Sequence, residues 1–236
     1  MATDLVDTVE MYLRTVLDLE EEGIPALRAR LSERLGHAGA TVSQTVARMQ
    51  RRGLIAVASD RVLELTADGR ALAVSVLRKH RIAERFLTDV VGLEWAYAHQ
   101  EACKWEHVMS DRVAEHLFAL LDGPRCSPYG NPIPPRPARC QMRAPDAVPR
   151  RRAYALAQLI RDDALPQRVT LVWVSEGLQA TAGALAELHA QGVTPGCGMM
   201  IRRRPGGAIR VRTDHETPTT IRTDLWPHLF VQEALA

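Results

Sequence analysis

The sequence predicts a mainly α chain with small β content, headed by a winged helix-turn-helix. Three observations predict it: helical apolar stripes in the first fifty residues, a two-strand pattern after Gly53, and metal-ligand side chains at helical spacing near residue 100. With 236 residues, 46% of them hydrophobic and 25% charged, the chain can bury a core and form more than one compact unit.

Val6, Val9, Leu13 and Val16 recur at helical intervals and predict a helix over 4–21 that stops before Gly23 and Pro25. A second stripe, Leu27, Leu31 and Leu35, ends at Gly36. Gly39 turns the chain into a third helix from about Thr41, with Val42, Val46 and Met49 facing inward. Two short helices joined by a glycine-containing turn are the pattern of a helix-turn-helix. The outward face of the third helix carries Thr41, Gln44, Arg48 and Arg51. Glutamine can pair in bidentate fashion with adenine in the major groove, and arginine reaches guanine or phosphate.

Residues 54–58 and 62–66 read as two short strands joined by Ser59-Asp60-Arg61, a wing with an arginine at its tip. Net charge is only +2, yet residues 24–61 hold seven arginines against Glu33 and Asp60. A basic patch confined to one segment is the footprint of a DNA-facing element; a solvated helix face or a protein-interaction module is the alternative. Leu65-Thr66-x-x-Gly69 then opens a long helix.

The strongest chemical signal is His99-x3-Cys103-x2-Glu106-His107, four side chains within an arc of about 100° on a helix. His80 and Glu84 form a second pair at i and i+4 on the preceding helix. Imidazole, thiolate and carboxylate together are the ligand set of a first-row transition metal. Paired C-x2–4-C ligands of structural zinc and the H-E-x-x-H of zinc hydrolases are both absent from the sequence. A mixed set suits a site that fills and empties, as a sensor's must.

Cys103, Cys126, Cys140 and Cys197 lie far apart without a framework spacing, which points to a reducing compartment. No apolar run approaches the roughly 18 residues of a membrane span, and the first residues lack a signal-peptide pattern. A cytoplasmic location and no membrane partner are therefore expected.

Several segments together resemble the diphtheria toxin repressor and iron-dependent regulator family: Asp4-Leu5-Val6-Asp7-Thr8, Glu10-Met11-Tyr12-Leu13-Arg14-Thr15, residues 41–49, Trp105-Glu106-His107-Val108-Met109-Ser110-Asp111 and Gly130-Asn131-Pro132-Ile133-Pro134. The resemblance implies a homodimer on a palindromic double-stranded operator, with one dimer or two per operator. It also implies two metal sites per subunit. Met11, Cys103, Glu106 and His107 match the primary, DNA-activating site; His80, Glu84, His99, Glu176 and Gln179 match the ancillary one. Arg81, Ser127 and Asn131 match anion-holding positions, and Thr8, Arg28, Arg30, Thr41, Ser43, Gln44, Arg48, Arg51 and Arg61 match DNA contacts.

The family pattern implies a winged helix-turn-helix over 1–75, a helical dimerisation and metal-sensing domain over 76–133, a Pro/Arg-rich linker over 134–167 and an SH3-like small barrel over 168–236. Alternation over 168–174 and 208–212, with a helix near 182–191 between, agrees with that barrel, and Arg202-Arg203-Arg204 reads as a solvated strand end. Ala38 and Ala40 depart from the family, which has a polar residue and a proline there. The soft thioether and thiolate favour Fe2+ as activator, with Co2+, Ni2+, Zn2+ or Mn2+ as substitutes. The competing readings are a winged-helix regulator that answers to manganese or to an organic ligand, and a metalloenzyme, for which no residue nominates a substrate pocket.

Overall fold

The computed structural model describes residues 8–136, 153–161, 168–203, 208–215 and 218–234. The expected roles of Asp4 to Asp7, Cys140, Arg150-Arg151-Arg152, Arg204 and the 205–207 turn lie outside the described residues. So does much of the expected 134–167 linker. Two compact units make up the chain: one of 1–86, 101–125 and 133–149, the other of 87–100, 126–132 and 150–236.

In the first unit α1 (Thr8–Glu21), α2 (Arg28–Leu35) and α3 (Gly39–Arg51) precede a two-stranded ribbon, β1 (Ile55–Val57) and β2 (Leu63–Leu65). The strands pair antiparallel from Ile55↔Leu65 to Val57↔Leu63, and Arg61 at the tip sits at φ 70°. That left-handed conformation costs about 1–2 kcal/mol for a residue with a Cβ, so the arginine is kept there against its backbone preference. Two longer helices follow, α4 (Ala67–Phe86) and α6 (Asp111–Leu120); α5 (Trp95–Trp105) lies between them in sequence and is divided between the units after Gln100.

Local chemistry explains the joints. Gly36 closes α2 at φ 65°, where glycine carries no Cβ penalty. Thr66 starts α4: its Oγ1 accepts from the Gly69 amide at 3.1 Å and donates to the Gly53 carbonyl at 2.7 Å. A Cβ at Gly69 would lie 1.8 Å from the Leu54 carbonyl oxygen, so only glycine fits there. Leu13, Val16, Leu31, Val42, Val46, Met49, Leu63 and Leu77 share one buried core.

The sequence stripe on α1 is narrower than the buried surface. Tyr12, Arg14, Thr15, Leu17, Asp18 and Leu19 are buried along with Val9, Leu13 and Val16. A helix covered nearly all round must pair its charges internally, and this helix carries several.

In the second unit a π-helical turn, Leu87–Val91, leads into α5. Its sheet is antiparallel with five strands, in the order β3 (Tyr154–Ala155), β7 (Leu229–Glu233), β4 (Arg168–Val174), β5 (Gly198–Arg203) and β6 (Ile209–Thr213). The short helices α7 (Leu156–Arg161), α8 (Glu176–Gln179) and α9 (Ala182–Ala190) and a 3-10 turn, Thr223–His228, complete it. Leu171, Val174, Met199, Ile201, Val211, Leu229 and Val231 form its core with Leu185 and Leu188 of α9. Gly130, at φ 85°, lets the chain pass where a Cβ would meet the Val172 carbonyl oxygen at 2.0 Å.

The expected strands at 168–174 and 208–212 correspond to β4 and β6, and the expected helix to α9. The expected boundary at 75 falls inside α4, which runs unbroken to Phe86, and the expected 76–133 segment is divided between the two units. Part of the expected linker is ordered into β3 and α7, because Tyr154 and Ala155 pair with Val231 and Phe230. Arg202 and Arg203, read as a strand end, lie within β5 opposite Arg210 and Ile209 and are exposed. Among the described residues, no helix is long and apolar enough to cross a membrane.

Candidate metal centre

The i, i+4 spacing on α4 brings His80 and Glu84 together, with Nε2 of the ring 2.6 Å from Glu84 Oε1. Both side chains are fully buried. Nδ1 of the same ring lies 2.7 Å from Glu106 Oε2. The ligating atoms of His80 and Cys103 lie within 4.8 Å of one another.

Glu106 and His107 were expected on the helix with Cys103. The helix ends at Trp105, and these two residues occupy the turn that follows. The Glu106 amide still donates to the Ala102 carbonyl at 3.0 Å, so its side chain keeps the helical bearing. Ser110 caps α6 just beyond, its Oγ accepting from the Val113 amide at 3.3 Å, which fixes where the turn must finish.

Glu106 is the hub. Its Oε2 accepts from Arg14 Nη1 at 2.7 Å and faces His80; its Oε1 lies 3.1 Å from His107 Nε2. Nδ1 of His107 meets Glu10 Oε2 at 2.8 Å. Arg14 Nη1 also reaches Cys103 Sγ at 3.7 Å, and its Nε lies 3.6 Å from Asp18 Oδ2. Met11 is half-buried on α1, packed against the first core.

Charge follows from these contacts. Burial pushes the Glu106 carboxyl upward, but Arg14, His80 and His107 prevail and hold it well below the usual carboxylate range. Burial opposes a proton on His107, yet its bonds to Glu10 and Glu106 raise it to about 9. His80 is likewise raised well above 6.5, because Glu84, Glu106 and Cys103 outweigh burial and Arg14. The carboxylates of Glu10, Glu84 and Glu106 converge here on two histidines and the Arg14 guanidinium. Such a place is built for positive charge.

Glu10, Arg14 and Asp18 were not singled out from the sequence. They lie at i, i+4 and i+8 on α1, a polar row that the periodicity displays; what it does not display is that Arg14 and Asp18 are buried, with Glu10 half-buried at the end of the row.

The remaining expected ligands belong to the second unit. There His99 Nδ1 lies 3.7 Å from Glu176 Oε2, and the His99 amide donates to the Tyr129 hydroxyl at 3.1 Å. Ser175 caps α8, its Oγ accepting from the Leu178 amide, and so sets Glu176 and Gln179 one turn apart. Gln179 Nε2 donates to Asn131 Oδ1 at 2.8 Å and to the Val174 carbonyl at 2.6 Å. Gln179 Oε1 and Asn131 Nδ2 are buried without a hydrogen-bond partner among the described residues. One is an acceptor and the other a donor, as a cation ligand and an anion contact would be. Ser127 Oγ accepts from the Tyr129 amide at 3.2 Å. Arg81, in the first unit, is fully buried and donates to Glu21 through Nη1 at 3.2 Å and through Nη2 at 2.5 Å. Donor chemistry in both units fits a divalent first-row cation.

In the winged helix-turn-helix, α3 buries Val42, Thr45, Val46 and Met49 and exposes Thr41, Ser43, Gln44, Arg48 and Arg51. Arg61 is exposed at the wing tip, and Thr8 and Arg28 are half-buried. Arg30 is exposed and pairs with Glu33 at 2.9 Å.

Residues 4–63 match the family described as iron dependent repressor, N-terminal DNA binding domain, and residues 66–135 match iron dependent repressor, metal binding and dimerisation domain. The chain is 47% identical over 222 residues to the iron-dependent repressor IdeR of Mycobacterium leprae, covering 92% of this chain and 93% of the relative. It is 47% identical over 203 residues to the diphtheria toxin repressor of Corynebacterium diphtheriae, covering 86% and 88%. Among solved structures, a manganese-dependent transcriptional repressor in complex with manganese superposes with a TM-score of 0.80 at 24% identity, covering 96% of this chain and all of that one. IdeR of T. acidophilum gives 0.74 at 23% identity, covering 97% and 99%. At such identities the likeness speaks to the fold alone. The two relatives named are transcriptional repressors rather than enzymes, and with nearly half of its residues shared along most of both, this chain belongs to the diphtheria toxin repressor and IdeR family of iron-dependent repressors.

Proposed function

We propose that the chain is an iron(II)-dependent transcriptional repressor, acting in the cytoplasm, that binds a palindromic operator as a homodimer when Met11, Cys103, Glu106 and His107 hold the metal. The observation that carries this reading is the convergence of half-buried Cys103 with Glu106, His107 and His80 in the same compact unit as the exposed polar face of α3. A bound divalent cation supplies a fixed positive charge with directed bonds to soft and hard donors.

Within that reading Met11 ties α1 to the ligands that follow α5, and α1 packs against the helices of the reading head. Holding both together narrows the conformations α3 samples. A hundredfold preference for the DNA-competent conformer corresponds to about 2.7 kcal/mol, and DNA must tighten metal uptake by the same factor. Thioether and thiolate are the donors that favour iron over manganese. His80 and Glu84 on the first unit, and His99, Glu176 and Gln179 on the second, are the proposed further ligands, with Arg81, Ser127 and Asn131 as anion contacts. Thr41, Ser43 and Gln44 read bases, while Thr8, Arg28, Arg30, Arg48, Arg51 and Arg61 position the duplex. Exposed Val108, Val113 and Leu120 offer an apolar surface at and beside α6 for a second copy.

The test is an anaerobic titration of an operator, selected from random duplexes, with iron(II), manganese(II) or neither present. Iron(II) should give tight binding of a dimer and its omission should abolish it. Tight binding without metal, or stronger binding with manganese at equal free concentration, would overturn the reading.

A further inference from the structure

Arg14 sits among residues proposed to hold the metal, yet it is not a ligand. Its side chain is 9% exposed, and Nη1 serves both Glu106 Oε2 at 2.7 Å and Cys103 Sγ at 3.7 Å. A guanidinium stays charged at any pH a protein survives, so it cannot yield these contacts by losing a proton. The lone pairs it takes are those a cation on Glu106 and Cys103 would need. Glu106 meanwhile has His80 on the same oxygen and His107 on the other, which leaves its carboxylate crowded with partners.

We infer that Arg14 is a resident counter-cation that must release Glu106 and Cys103 before the site can fill, so that Arg14 sets the metal concentration at which the protein responds. This rests on the proposed site of Met11, Cys103, Glu106 and His107.

Where Arg14 goes is also written on α1. Asp18, one turn further and buried, already lies 3.6 Å from Arg14 Nε. An uncompensated charge in the interior is costly, so a released Arg14 needs this second carboxylate. Asp18 thereby makes release possible, and Glu106 opposes it. Met11 and Arg14 are three residues apart on one helix, so the residue proposed to bind metal and the residue that excludes it move together.

The consequence is a pair of effects with opposite signs. Arg14→Gln should tighten cobalt(II) uptake by on the order of tenfold, within the usual range for coupled sites, while lowering the melting temperature of the metal-free protein. Asp18→Asn should weaken uptake by a similar factor, because Arg14 loses the group that receives it.

The experiment is competition of the full-length dimer against a chromophoric chelator for cobalt(II), read through thiolate-to-cobalt absorption that Cys103→Ala must abolish. A merely structural ion cluster would make both variants bind cobalt equally or more weakly, and that result overturns the inference. If Arg14→Gln does not fold, Asp18→Asn alone decides: weaker uptake with the metal-free melting temperature unchanged supports the role, whereas unchanged or tighter uptake, or weaker uptake that goes with a lowered melting temperature, defeats it. If the wild-type band is missing or survives Cys103→Ala, the proposed site itself is wrong and this inference falls with it.

Discussion

Nδ1 of His80 lies 2.7 Å from Oε2 of Glu106, while Nε2 of the same ring lies 2.6 Å from Oε1 of Glu84. One imidazole thus joins a residue expected in the primary ligand set to one expected in the ancillary set. His80→Ala should therefore leave two buried carboxylates short of a partner and destabilise the metal-free protein by about 2–3 kcal/mol. It should also disturb uptake of both metals. Chemical denaturation and a two-step metal titration check this; loss of one step with the other intact would show that the ring does not couple them.

Much of this was legible in the sequence, and the reasons are particular. Glycines and apolar spacing around α2, α3 and the wing mark their limits, because capping and turn chemistry act locally. The His80–Glu84 pair follows from i, i+4 geometry alone. What spacing could not reveal is the burial of Arg14 and Asp18 on α1, and hence their roles, and that of half-buried Glu10, around Glu106, Cys103 and His107. That burial comes from helices packing on every side of α1. Met11 needed the family resemblance, since a methionine on such a helix reads first as core. β7 leaves no alternating signal in the sequence because it is interior to its sheet, flanked by β3 and β4, and buries Leu229, Phe230 and Val231 in succession. Alternation is lost in such a strand.

Gln44 is exposed on α3, on the face opposite buried Val42, Val46 and Met49. Gln44→Ala should weaken operator binding by about 1–3 kcal/mol and leave non-specific DNA binding nearly unchanged, as loss of a base contact does. Arg28→Ala should weaken both together and flatten the salt dependence. Gel shifts against operator and scrambled duplex at several salt concentrations make the comparison; the reverse pattern would mean that α3 does not read bases.

Ala38 is the N-cap of α3, at φ −60° and ψ 142°, and no side chain caps the helix there. Ser or Asp in this backbone conformation accepts a hydrogen bond from an amide of the first turn. Ala38→Ser should stabilise the protein by about 1 kcal/mol. The same change firms the start of the proposed recognition helix, so operator affinity should rise or hold while selectivity at the outermost base shifts. Thermal denaturation decides the first part: no gain in melting temperature would mean that the exposed amides of α3 are already well solvated.

Cys103→Ala and Glu176→Ala should fail in different ways. Cys103 is half-buried, lies beside Arg14 and His80, and belongs to the compact unit that contains α1 and α3. Removing its thiol deletes little packing volume but takes away the only thiolate among the proposed primary ligands. Metal-dependent operator binding should collapse, with fold and dimer retained. Glu176 lies on α8 in the other unit, 3.7 Å from His99 Nδ1, and shares no element with the reading head. Its loss should raise the metal concentration needed for half-maximal binding and leave affinity at saturation largely intact. The asymmetry follows from connectivity, because only the proposed primary set includes a residue of α1. Operator affinity of both variants at limiting and saturating cobalt(II) is the measurement. Equal losses at saturation would mean that the two ligand sets are not divided in this way, and a fully active Cys103→Ala would remove the primary site from the chain altogether.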